Sequence, residues 1–255
     1  MKGIAIGVDD FKTLREEGSY FIDKSFFIET LINDKAGVNL FPRPRRFGKT
    51  LNMSMLKYFF SIENAEENRK LFSGLAIEKT DTFEKHQGKY PVIFLSLKSC
   101  KGNNFETIIK KISEILSELY RNNEFLIDKK ILKDYEIEKY HSVLKENADI
   151  ETLSSAIKRM SEYLHRAYNK KVIIIIDEYD TLIHEAYLNN FYDEAVNFLK
   201  AMLGNALKGN LYLQKAALTG ILRISKESMF SDLNNLKVYS VLSEKYNSAF
   251  GFTQT

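Results

Sequence analysis

The sequence predicts an α/β protein with a mostly parallel sheet flanked by helices on both faces. Three observations carry this. Short runs of β-branched and aliphatic residues recur along the chain, amphipathic helical patterns separate them, and one run, residues 172–176, is so uniformly apolar that both its faces must be buried. A strand buried on both faces belongs inside a sheet covered by helices, and strands alternating with helices are joined by crossovers.

Residues 1–36 precede the first apolar run and are read as leader helices. Strands are expected at 38–41, 92–97 and 172–176, with a weaker one at 211–219, where alanines and Gln214 dilute the signal. A helix is predicted where Phe105, Ile108, Ile109, Ile112, Ile115, Leu116 and Leu119 fall on one face. Leu153, Ala156, Ile157, Met160, Leu164 and Ala167 mark a second, and Phe191, Ala195, Val196, Leu199, Met202, Leu203 and Ala206 a third. Residues 121–147, rich in Lys and Glu, read as a helical insertion facing solvent. With only 12 Gly and 3 Pro in 255 residues, one domain is expected, with the core at 37–220 and a C-terminal extension at 221–255.

Composition removes several classes of function. The net charge of +3 is too small to argue for nucleic acid by itself. Cys100 is the sole cysteine, which excludes an internal disulfide and a multi-thiolate zinc site, and the four histidines lack ligand spacing. No apolar run approaches the roughly 20 residues of a membrane helix. The N-terminus turns acidic at Asp9 and Asp10 before a signal-peptide core develops, so a cytoplasmic location is the expectation.

After the first strand comes Arg43-Pro44-Arg45-Arg46-Phe47-Gly48-Lys49-Thr50, leading into an apolar helix near Leu51. Gly-Lys-Thr at a strand-to-helix junction is the ending of a phosphate-binding loop. Glycine lets backbone N–H groups close around phosphate oxygens, lysine reaches the β and γ phosphates, and the hydroxyl ligates Mg²⁺. Arg43 stands where such a loop usually begins with glycine. Asp177 and Glu178 end the apolar run, and two acids there are costly unless a cation or a water network meets them. Asp177 is expected to hold Mg²⁺ through water, and Glu178 to orient or deprotonate the attacking water. Thr219, closing the fourth strand, either senses the γ phosphate or satisfies a turn; Arg223 either neutralises transition-state charge or lies on a surface helix.

These residues resemble the AAA-ATPase-like family of bacterial proteins that often carry a C-terminal nuclease-type domain. The likeness runs through 10–15, 21–25, the arginine loop at 43–50, Asp177-Glu178-Tyr179-Asp180, 218–220, 232–236 and 250–253. The resemblance implies that Arg43 is the family's own form of the loop. It also implies an adenine nucleotide and a P-loop ATPase core of the additional-strand type, with the Asp177 strand beside the fourth strand. Members usually continue into a helical portion and the nuclease-type domain, so that domain is expected to be missing here and 221–255 to begin a truncated extension. Asp10-Phe11-Lys12 and Asp128-Lys129-Lys130 match an acid-x-Lys nuclease signature in letters alone and read as solvent-facing.

Three functions compete. The first is a Mg²⁺-dependent ATPase that drives or gates a partner protein or the C-terminal domain. In it Glu178, Lys49, Thr219 and Arg223 act on the reaction, Arg45, Arg46, Phe47, Gly48, Lys49, Thr50 and Leu51 hold the nucleotide, and Thr50 and Asp177 hold the metal. The second is a nucleotide-dependent switch with negligible turnover. The third is a nucleic-acid module built on Arg43, Arg45 and Arg46 beside Phe47. No base-reading residue stands out, although 11–21 is a candidate edge for the base.

Overall fold

The computed structural model describes residues 3, 7–221 and 233–251. Five strands form one sheet: β1 (Val38–Pro42), β2 (Val92–Ser96), β3 (Val172–Asp177), β4 (Leu213–Gly220) and β5 (Leu236–Val238). Their order is β2-β3-β4-β1-β5, and every pairing is parallel. All six residues of β3 are buried, as its composition predicts. The weakly signalled β4 is the central strand and separates β3 from β1. Ala216 and Ala217 point into opposite apolar layers there, so the neighbouring strands and helices supply the hydrophobic surface that β4 lacks.

The helices are α1 (Phe11–Glu16), α2 (Phe26–Ile32), α3 (Lys49–Phe60), α4 (Ala65–Lys70), α5 (Asp81–His86), α6 (Phe105–Arg121), α7 (Phe125–Asp128), α8 (Asp134–Leu144), α9 (Ile150–Tyr168), α10 (Thr181–Leu188) and α11 (Tyr192–Leu207). Asp10, Asn104 and Asp149 cap α1, α6 and α9 by accepting a backbone N–H three residues on. Because strand side chains alternate, the sheet feeds two cores. Leu40, Leu95, Ile174, Ile176 and Leu218 meet α6, α9, α10 and α11 on one face. Phe41, Ile173 and Ile175 meet α1, α2 and α3 on the other.

The structure corrects the reading of residues 121–147. Leu126, Leu132, Tyr140 and Val143 are buried in the first core, the Tyr140 hydroxyl donates to the Tyr120 carbonyl at 2.6 Å, and Glu136 pairs with Arg166 at 2.7 Å. Their irregular spacing hid this apolar stripe among lysines and glutamates. Among the described residues, no helix is long and apolar enough to cross a membrane.

Candidate functional site

The carboxyl ends of β1, β4 and β3 lie side by side, which is where open α/β sheets place ligands. The register pairs Phe41 with Thr219, Ile176 with Leu218 and Ser96 with Asp177. Main-chain bonds lace the strand ends together: Arg43 N–H donates to the Gly220 carbonyl at 2.9 Å and Tyr179 N–H to the Thr219 carbonyl at 3.1 Å. The Asp180 carboxylate accepts the Ile221 N–H at 2.8 Å. Gly220 is required by this closeness, since a Cβ there would lie 2.6 Å from Asp180 Oδ1 and 2.7 Å from Tyr179 Cε1.

The loop between β1 and α3 turns through two left-handed residues, Arg46 at φ +66° and Gly48 at φ +70°. Nothing crowds a Cβ at Gly48, so glycine serves the backbone angle there. The turn brings the first amides of α3 to the mouth of the sheet, where helix N–H groups and the helix dipole favour an anion. Lys49 is buried, and its Nζ donates to the carbonyls of Arg43 at 3.1 Å and Pro44 at 3.0 Å. Burial lowers its pKa, against the opposing pull of Glu178, Asp177 and Asp180.

Asp177 is fully buried, and hydroxyls take both its oxygens. Thr50 Oγ1 donates to Oδ2 at 2.7 Å, and Thr219 Oγ1 donates to Oδ1. The sequence left Thr219 between a phosphate sensor and a turn residue; in the structure its hydroxyl donates to Asp177. Glu178 is half-buried at φ +53°, a left-handed angle uncommon for a residue with a side chain. That angle turns the chain sharply out of β3, and Thr181 Oγ1 donates to its carboxylate at 3.4 Å.

A cavity lies on each side of the loop. One, of about 360 Å³, is lined by Arg45, Glu178, Asp180, Thr181, His184 and Glu185 among others. The second, of about 420 Å³ and mainly apolar, is bounded by Arg46, Phe47, Gly48 and Leu51 together with Leu14, Tyr20, Phe21 and Ala249. Arg45 and Arg46 are exposed, but Arg43 is 2% exposed and does not join them. Its guanidinium points back beneath the loop to the carbonyls of Pro42, Tyr239 and Tyr246 and lies 4.8 Å from the centre of the Phe250 ring. The nucleic-acid reading, which grouped Arg43 with Arg45 and Arg46, thus loses one of its three arginines.

Sequence reasoning also missed Lys98, just past the end of β2. It pairs with Asp9 at 3.0 Å, which raises its pKa, with smaller contributions from Glu178 and Asp177. Its place after a strand end was the available signal. Arg223 lies outside the described residues, as do Asp232, Phe252 and Thr253.

Thr50 and Asp177 offer hard oxygen donors side by side at a helix N-terminus, a donor set whose chemistry suits a hard divalent cation such as Mg²⁺. A family model described as a predicted AAA-ATPase matches residues 5–230. An uncharacterized protein in the vnfD 5′ region of Azotobacter chroococcum mcd 1 is 28% identical over 258 residues. That alignment takes in all of this chain and 44% of the relative, so the chain spans less than half of the relative's length. No solved structure gives a significant match.

Proposed function

The chain belongs to the AAA-ATPase-like family, and from that premise we propose that it binds Mg²⁺·ATP at the carboxyl ends of β1, β4 and β3 and hydrolyses it there. The observation that carries the reading is the hydrogen-bonded link Thr50–Asp177–Thr219, which joins the head of α3 to the ends of two strands. A motif match by chance gives no reason for a threonine of one segment to meet a buried acid 127 residues away.

In this reading the amides at the start of α3, with Gly48 and Lys49, receive the β and γ phosphates, while Arg45 and Arg46 flank them. Thr50 and Asp177 would hold Mg²⁺, which when bound would supply positive charge against the phosphates. Thr219 keeps Asp177 aimed by donating to it. Glu178, beside the 360 Å³ cavity, takes the proton of the attacking water. The apolar cavity walled by Leu14, Tyr20, Phe21, Phe47 and Leu51 receives the base, which agrees with the edge expected at 11–21. Hydrolysis then drives or gates a partner, or chain beyond the matched region, in keeping with the greater length of the relative.

The test is calorimetric titration of Mg²⁺·ATP together with a turnover assay on wild type, Lys49→Ala and Glu178→Gln. We expect Lys49→Ala to lose binding. Glu178→Gln should bind ATP as wild type does and turn over about 10²–10⁴-fold more slowly. Binding with no wild-type turnover would move the protein to the switch class, and absence of binding by the folded wild type would overturn the proposal.

A further inference from the structure

We propose that Arg43 is a positioning residue that couples the occupancy of the phosphate loop to the chain segment 239–251, so that nucleotide and segment report on each other. The inference rests on the nucleotide reading above and adds a route out of the site.

Three ties join the loop to that segment. The Arg43 guanidinium donates to the Tyr239 and Tyr246 carbonyls. Gly251 N–H donates to the Phe47 carbonyl at 3.2 Å. Asn52, one turn into α3, donates its side-chain amide to the Ala249 carbonyl at 2.7 Å. Gly251 also fits closely, because a Cβ there would lie 3.0 Å from the Phe47 ring. The segment is therefore seated on the loop itself and not only on the sheet.

Arg43 is the tie that senses ligand. The lysine expected to hold phosphate donates instead to the main-chain carbonyl of Arg43 and to that of Pro44. A phosphate that draws the Lys49 ammonium toward itself releases those carbonyls. Residue 43 then settles with the loop around the bound phosphate, and its side chain carries that ordering to Tyr239 and Tyr246. A buried guanidinium cannot give up its carbonyls cheaply, because burial already disfavours its charge and lowers its pKa. Loop and segment consequently move as one, and linkage requires any change in the segment to alter nucleotide affinity by the same factor. Glycine, the usual residue at this point of a phosphate loop, has no side chain to transmit anything.

The experiment measures Mg²⁺·ATP affinity, and amide hydrogen exchange over 239–251 with and without Mg²⁺·ATP, in the full chain. The variants are Arg43→Gly, Arg43→Lys and Phe250→Leu. In wild type, ATP should slow exchange in the segment at least tenfold. Arg43→Gly should weaken ATP about tenfold or more and reduce the slowing to less than twofold. Arg43→Lys, which keeps the charge and one reach to a carbonyl, should fall between. If Arg43→Gly does not fold, Phe250→Leu decides, with a smaller loss of the same kind expected and wild-type slowing overturning the proposal. Arg43→Gly that binds and protects as wild type does overturns it as well. Wild type that binds ATP without any exchange change in 239–251 overturns the coupling alone, whereas a folded wild type that fails to bind ATP overturns the nucleotide reading and the coupling together.

Discussion

Glu178 occupies a left-handed backbone angle that costs an ordinary L-residue roughly 1–2 kcal/mol, and asparagine accepts that angle more readily. Glu178→Asn should therefore raise unfolding stability by about 0.5–1 kcal/mol in a thermal melt while ATP turnover falls at least a hundredfold. Gain and loss together are the signature of strain kept for function; an unchanged melting temperature would remove that explanation. Thr219→Val keeps the shape of the residue but strips Asp177 Oδ1 of its hydroxyl donor, at a cost of about 1–3 kcal/mol in urea unfolding. Turnover should drop with it, since the acid is no longer held. That Lys49, Thr50, Asp177 and Glu178 would meet at the strand ends was legible because each stands directly after an apolar strand run or at the head of the helix that follows one. Arg43 was legible as an anomaly, but its direction was not. Its partners lie about 200 positions away in the chain, and no local pattern says whether an extra arginine faces a ligand or a carbonyl.

At the scale of elements, β3 could be read because burial on both faces demands an unbroken apolar run, and α6, α9 and α11 because one-sided burial imposes a 3.6-residue stripe. The three-residue β5 could not, being too short to show a period. The end of β4 is tightly constrained. Gly220→Ala should cost about 1–3 kcal/mol by forcing Asp180 and Tyr179 away, seen as a lower urea midpoint. The turn after α2 is bound to the 239–251 segment by Asp34, which accepts from Lys245 at 2.7 Å, from Tyr246 at 2.9 Å and from Tyr239. Burial opposes its charge, yet the bonds from Lys245, Tyr239, the Ala36 N–H and Tyr246 together hold its carboxyl well below the usual carboxylate range. A depressed folded-state pKa gives stability that is complete above the unfolded value near 4 and lost as pH falls below it. Asp34→Asn should accordingly cost about 2 kcal/mol at pH 7, with the gap to wild type closing in denaturation curves taken below pH 4.

Across the described residues, the sheet order places β1 between β4 and β5, the last two strands among them. The phosphate-loop strand comes first in sequence and finds its neighbours last, since Val38 pairs with Ala216 and with Leu236. A chain ending at residue 210 carries the loop, Asp177 and Glu178 but should bind no nucleotide, which retention on immobilised ATP would check. The same order governs what happens at the ribosome. About 180 residues must be translated after Val38 before its first partner exists, and at about 5–20 residues per second that is roughly 10–35 s. Throughout this interval β1 has both edges open and the loop has no floor. A premature stop anywhere before β4 therefore yields a product whose first strand never meets its β4 partner, whatever the earlier segments contain.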